Sequence, residues 1–295
     1  MSTALKREDA ALRVSPQARR RRIPWGRYAL WVVLGFGAVL MIGPFYWMAI
    51  TSLKTQAEAL AFPPTWWPQN PTLENWRGLT NLTFGSFTVF FRNSVFVTTI
   101  VTALTLLTSA MAGYVFAKLQ FRGRDLLFWI ILGMMMIPFT VSIIPLYSLM
   151  STLGWRNSYL SLIVPIAFTP FGIFLMRQFM SSLPDELIDA ARIDGAGEFG
   201  IFFRILLPLS TAALSALGIF TFVSQWDSFL WPLVMIDDVA LYTIPLGLAQ
   251  FRGRVGTDIG ATAAGSMLAV LPVLIIYLAA QRQFVDGIAL TGIKG

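Results

Sequence analysis

The stretch SSLPDELIDAARIDGAGEFGIFFRILLP, from Ser181 to Pro208, is the most charged internal segment of the chain, and apolar runs flank it on both sides. It is too polar to cross lipid, yet it is patterned. Ser182 followed three positions later by Asp185 resembles a capping box, and Pro184 is tolerated in a first helical turn, so a short helix is predicted from Pro184 to Ile193. Asp194 and Gly195 stop it, because glycine takes the left-handed conformation that ends many helices. Phe199, Phe202, Phe203 and Leu206 then recur at i, i+3, i+4 and i+7, which predicts a second helix. Ala190 and Ala191 carry almost no side chain, so another protein can approach them closely. The pattern is a helix, a tight turn and a helix, suited to docking.

Outward from this segment the chain is apolar. Of its 295 residues 56% are hydrophobic and 13% are charged, against about 25% charged in soluble proteins. A membrane-spanning helix needs about 20 apolar residues, and six stretches without Asp, Glu, Lys or Arg reach that length. They lie between Arg27 and Lys54, Arg92 and Lys118, Asp125 and Arg156, Arg156 and Arg177, Arg204 and Asp227, and Asp258 and Arg282. The charge-free stretches Ala59 to Leu73 and Val239 to Phe251 are shorter and interrupted by Pro or Gly, so they read as loops. The expected fold class is an all-α membrane protein of six spans.

The net charge of +7 is explained by placement. Lys6, Arg7, Arg13, Arg19, Arg20, Arg21, Arg22 and Arg27 precede the first apolar run with no aromatic-studded basic face, which reads as a cytoplasmic anchor and not a nucleic-acid patch. The run from Tyr28 to Leu53 exceeds the usual 7–15-residue core of a signal peptide, so an uncleaved anchor is expected. With the N-terminus inside, Lys and Arg divide 16 to 6 in favour of the cytoplasmic segments, which predicts that both termini are cytoplasmic. The expected organisation is a basic segment 1–27, a membrane domain 28–285 containing the loop 181–208, and a cytoplasmic tail 286–295.

Pro44, Pro138, Pro145, Pro165, Pro170, Pro232 and Pro272 fall within the spans, and each bends a helix by removing a hydrogen bond. In the external segment, Trp66 and Trp67 among prolines suit an interfacial anchor. Asn81, Leu82 and Thr83 form a glycosylation sequon, informative only in a host that glycosylates.

Much chemistry is excluded. Without Cys or His there are no disulfides, thiol nucleophiles, imidazole bases or common transition-metal ligands. No span carries a pair of groups fit for acid–base work, and no G-x-x-x-x-G-K-[ST] phosphate loop occurs. Gly195, Gly197 and Gly200 spell G-x-G-x-x-G, but no strand precedes them and no acid lies about 20 residues on, so they read as turn residues. No catalytic residue, cofactor or metal site is predicted. Asp227, with apolar sequence on both sides, sits about 27 Å along a helix starting near Leu209. Together with Gln225 it is a candidate for lining a transport route, the other reading being a polar contact between helices.

Asp189, Ala190 and Ala191, three residues, Gly195, nine residues, then Ile205, Leu206, Leu207 and Pro208 match the pattern E-A-A-x3-G-x9-I-x-L-P without a gap. That pattern resembles the permeases of ABC importers, with Asp189 in place of Glu as the one departure. IPFTVSIIPLY (Ile137 to Tyr147), Pro170 to Ala196, QWDSFLWP (Gln225 to Pro232) and the ending QFVDGIALTGIKG look like maltose-type carbohydrate permeases. The resemblance implies the type I ABC importer fold, in a bacterial-type inner membrane. It further implies that the loop is a coupling helix docking ATP-binding subunits through Glu186, Asp189, Ala190, Ala191, Asp194, Gly195, Ala196, Ile205, Leu207 and Pro208. The implied partners are a homologous second permease, two ATP-binding cassette subunits, an extracytoplasmic sugar-binding protein and the lipid bilayer. The implied substrate is an oligosaccharide, with a polyol or glycerophospho-compound as alternative. A secondary transporter is the competing class, but would normally carry internal repeats, and none is visible.

Overall fold

The computed structural model describes the backbone of residues 25–80, 86–253 and 258–292, and the side chains of 28–80, 86–249 and 258–279. The sequon 81–83 and most of the basic N-terminal segment lie outside these residues. All regular structure among the described residues is helical. The chain divides into two units, residues 1–46 and 47–295. The first contains most of α1 (Trp25–Ser52), whose internal Pro44 lies near the boundary.

Among the described residues, three helices are long and apolar enough to cross a membrane: α1, α2 (Phe87–Lys118) and α12 (Ile259–Gly292). Three further pairs reach that length only as bent combinations. Helices α3 (Arg124–Met134) and α4 (Phe139–Thr152) meet at 101°. Helix α5 (Tyr159–Ile163), extended by a tight turn to Ile166, meets α6 (Pro170–Ser181) at 40°. The segment 198–209 meets α9 (Thr211–Trp226) at 77°. Prolines sit at two of the breaks, because a residue without an N–H cannot continue the helix before it: Pro138 precedes α4 and Pro170 opens α6, whereas Pro208 lies inside the segment 198–209, two residues before the break at Ser210.

Helix α2 is the centre of the second unit, packing chiefly on α6 and α9. Close approach to α6 requires Gly113: a Cβ there would lie 2.6 Å from Met176 Cβ and 2.9 Å from the Arg177 backbone nitrogen. Helix α2 also repairs the break before α6, since Thr108 Oγ1 donates to the Ala167 carbonyl at 2.8 Å and Thr105 Oγ1 to that of Ile166 at 3.5 Å. Near its Phe87 end, buried Asn93 donates to the carbonyls of Ala240 (2.8 Å) and Tyr242 (3.0 Å) and accepts from the Tyr159 hydroxyl (2.8 Å). In the segment between α1 and α2, the Glu58 carboxylate accepts from the Gln69 N–H and the Thr65 hydroxyl, both at 2.8 Å. The Gln69 bond foremost holds that carboxyl below the ordinary glutamate range. The loop so ordered leaves Trp66 and Trp67 largely exposed.

One expectation is corrected. Val239 to Phe251 is not simply a loop, because beyond α10 (Leu230–Met235) the residues Ile244–Gly253 form helix α11. Pro245 stands in its first turn, where the missing N–H has no intrahelical partner to lose, so the proline starts the helix instead of interrupting it. The backbone of α12 continues past Asp286 to Gly292; the side chains of 286–295 lie outside the described residues.

Candidate docking site

The loop folds as helix, turn and helix. Helix α7 (Glu186–Ile193) ends in a left-handed Gly195, φ +83°, with the Ala196 N–H donating to the Ala191 carbonyl at 2.9 Å and the Gly195 N–H to that of Arg192 at 3.0 Å. These two bonds satisfy carbonyls that a helix end would leave bare. Helix α8 (Glu198–Ile201) then passes into a wider turn, Phe202–Leu206, in which the Leu207 N–H reaches back to the Phe202 carbonyl. Pro208 explains the widening, for its ring has no N–H for the Arg204 carbonyl and would clash with it in a regular helix.

Two local readings fail. Ser182 does not cap α7: its N–H and its hydroxyl both donate to the Phe179 carbonyl, so it closes α6. Asp185 precedes α7 without a side-chain capping bond, because its carboxylate is taken by Lys118. The phenylalanine stripe is not one buried face, since Phe202 and Leu206 are buried whereas Phe199 and Phe203 are exposed. The extra residue in the wide turn rotates the register, and Ile201 takes the inward position.

Of the predicted docking residues, Glu186, Asp189, Ala190, Asp194, Gly195 and Pro208 are exposed, and Ala196, Ile205 and Leu207 are half-buried. Ala191 is not on the free face; it is buried against Ile188, Met180 and Tyr114 of its own chain. The free face is partly apolar, with Ile193 87% and Phe199 73% exposed, an arrangement that invites a partner surface. Gln225 is half-buried at the end of α9 and Asp227 is exposed just beyond it, its N–H donating to the Val223 carbonyl at 3.1 Å. Neither residue joins the loop.

Sequence reasoning missed the residues that hold the loop in place. Lys118 donates to the Leu183 carbonyl (2.6 Å) and to Asp185 Oδ1 (2.5 Å). The Tyr114 hydroxyl donates to Glu198 Oε2, and Arg192 donates through Nε to Glu198 Oε1 at 3.0 Å while lying 3.5 Å from Asp189. The hydrogen bond from Arg192, then that from Tyr114, hold the Glu198 carboxyl below the ordinary glutamate range. Tyr114 and Lys118 stand one turn apart on α2, a spacing visible in the sequence, but their partners are 84 and 67 residues away.

Residues 107–288 match the family of binding-protein-dependent transport system inner membrane components. The arabinooligosaccharides transport system permease protein AraQ of Halalkalibacterium halodurans is 34% identical over 94% of this chain and 100% of its own length. AraQ of Bacillus subtilis is 36% identical over 96% of this chain and 100% of its own length. A chain from the crystal structure of a bacterial ABC transporter involved in the import of the acidic polysaccharide alginate superposes with a TM-score of 0.78 at 20% identity, covering 86% of this chain and 95% of that one.

Proposed function

This chain belongs to the family of binding-protein-dependent transport system inner membrane components, and from that premise we propose that it forms half of the translocation pathway of an ATP-driven sugar importer. Its loop 181–208 docks ATP-binding subunits. The observation that carries the docking role is the free face of α7, where Asp189, Ala190 and Ile193 stand exposed on a helix whose other side is fixed to α2. The partners are a homologous second permease, two ATP-binding subunits and an extracytoplasmic binding protein. Hydrolysis belongs to the ATP-binding subunits, a division supported by the missing phosphate loop.

Counting each bent pair as one crossing gives six spans, in the domain organisation 1–27, 28–285 and 286–295, with both termini and the loop inside. The lysine and arginine distribution supports that orientation. It is tested with Asn70→Cys and Gly197→Cys, both at exposed positions in a chain without native cysteine. An impermeant maleimide added outside labels position 70 and misses 197. The reverse pattern overturns the orientation.

Neutral sugar is the substrate class we favour. A groove of about 490 Å³ between α2, α9 and α12, lined mainly by aliphatic side chains, includes Thr211, Ser215 and Phe222. Another, of about 380 Å³, presents Phe229, Thr262 and Ser266. Hydroxyls and aromatic faces suit sugar hydroxyls and ring faces, whereas a phosphate ester calls for cationic partners, and neither groove has one among the described residues. Arabinotriose and glycerol 3-phosphate, offered to the complete transporter in vesicles, separate the two classes. ATP-dependent uptake of the sugar alone is expected, and uptake of the phosphate ester alone refutes the assignment.

Asp189→Lys reverses charge on the docking face and removes the contact with Arg192. Loss of binding-protein-stimulated ATPase by at least about tenfold is expected, the scale of a like-charge juxtaposition. Asp189→Glu keeps the charge and retains the activity. Equal activity in both variants, at equal complex yield, removes Asp189 from the interface.

A further inference from the structure

Helix α7 is held at both ends by one face of α2. Residues four apart on a helix are neighbours on its surface, and Tyr114 and Lys118 form such a pair. Lys118 grips the start of α7 through Leu183 and Asp185. Tyr114, 4% exposed, grips the region beyond its end through Glu198, which in turn holds Arg192 in the last turn of α7. The Tyr114 ring also packs on Phe202, with centroids 5.8 Å apart.

Either attachment alone would let α7 pivot about it, whereas two at opposite ends fix its direction. Because Glu198 lies beyond Gly195, its bond also fixes the turn. These contacts lie in the last turns of α2, a helix of 32 residues without an internal proline, about 48 Å long at the helical rise. At the far end Asn93 clasps the segment containing Ala240 and Tyr242.

Resting on the docking role proposed above, we propose that Tyr114 and Glu198 are positioning residues of the coupling step, strapping α7 to α2 so that the two move as one body. Displacement of the docking helix by an ATP-binding subunit is then delivered to α2 and along it to the Ala240–Tyr242 segment. Without the strap, α7 follows its partner while α2 stays behind.

The complete transporter, spin-labelled at Met111→Cys on α2 and Leu187→Cys on α7, reports this directly; both positions are exposed and neither belongs to the docking face. The expected interlabel distance is narrow and the same in the ATP-free and ATP-bound states. Adding Tyr114→Phe or Glu198→Gln broadens it, or shifts it between states by about 2 Å or more, the scale of helix movements at interfaces. In unlabelled complex the arabinotriose moved per ATP falls roughly tenfold in each variant, as for loss of one hydrogen bond to a charged group. The double variant falls no further, because both changes remove the same contact.

A distance that differs between states in the parent protein, or that neither variant alters, overturns the strap. So does lower complex yield with an unchanged transport ratio, the signature of a merely structural bond. If Tyr114→Phe does not assemble, Glu198→Gln decides, since it alters a side chain that is 46% exposed. If arabinotriose is not carried, the distance alone decides. Gly195→Val separates the two proposals: uncoupling there with normal strap variants overturns the strap alone, and normal behaviour in all of them overturns the docking role as well.

Discussion

Gly195→Val abolishes uptake while leaving the membrane helices folded. The reason is backbone conformation and not space, for a Cβ at Gly195 meets nothing within 4 Å, yet φ is +83°. A left-handed residue with a side chain costs about 1–2 kcal/mol, and a β-branched one is the worst case. The chain relieves that strain by turning φ negative, which breaks the two bonds closing α7 and redirects the segment leaving it. Glu198, three residues on, then loses its position between Tyr114 and Arg192. Uptake and stimulated ATPase should drop by at least about tenfold at normal complex yield, a larger loss than the strain alone because docking depends on alignment. Gly195→Asn, which tolerates the left-handed region, should retain most activity. Normal uptake by Gly195→Val refutes the role given to the turn; loss of the subunit from the membrane assigns the loop to folding instead.

Gly113→Leu prevents assembly altogether. The neighbours that a Cβ would meet, at 2.6–2.9 Å, are Met176 Cβ, the Met176 carbonyl carbon and the Arg177 nitrogen, so no flexible side-chain end can swing aside. Helices α2 and α6 must separate. Overpacking by single methylenes costs about 1–3 kcal/mol, and leucine adds a whole side chain at the tightest point. Met176 belongs to the buried cluster that includes Tyr114, Met180, Ile188 and Phe202, so separation also loosens the base beneath α7. Little or no complex should survive detergent extraction, and Gly113→Ala should give a lower unfolding temperature. Recovery of Gly113→Leu at parental yield and stability refutes this account of the contact.

The sequence is readable wherever the determining physics is local. Each charge-free window overlaps one long apolar helix or one bent pair, because length and apolarity are local properties of the chain, and prolines stand at two of the three breaks and two residues before the third. Gly195 was legible for the same reason, since a polar turn closing a short helix calls for a left-handed residue. The failures come from competition. Ser182 had the spacing of a cap but ends the preceding helix, and Asp185 is taken by Lys118. The phenylalanine stripe assumed regular helical spacing, which the wide turn before Pro208 breaks. Val239 to Phe251 looks like a loop only while Pro245 counts as an interruption, whereas it stands in a first turn. Tyr114 and Lys118 stayed hidden because a hydrogen bond across 84 residues leaves no periodicity in a single sequence.

Thr105 and Thr108 have a consequence for biogenesis. The break before Pro170 leaves carbonyls at Ile166 and Ala167 that water would satisfy outside a membrane but that hydrocarbon cannot, at several kcal/mol for each bare group. The hydroxyls that accommodate them belong to α2. The segment carrying the break is therefore a poor candidate for entering lipid on its own and a good one beside α2. Synthesis runs in the order this requires, because α2 has already left the ribosome when residues 159–181 emerge, and the interrupted segment meets its hydrogen-bond donors on arrival.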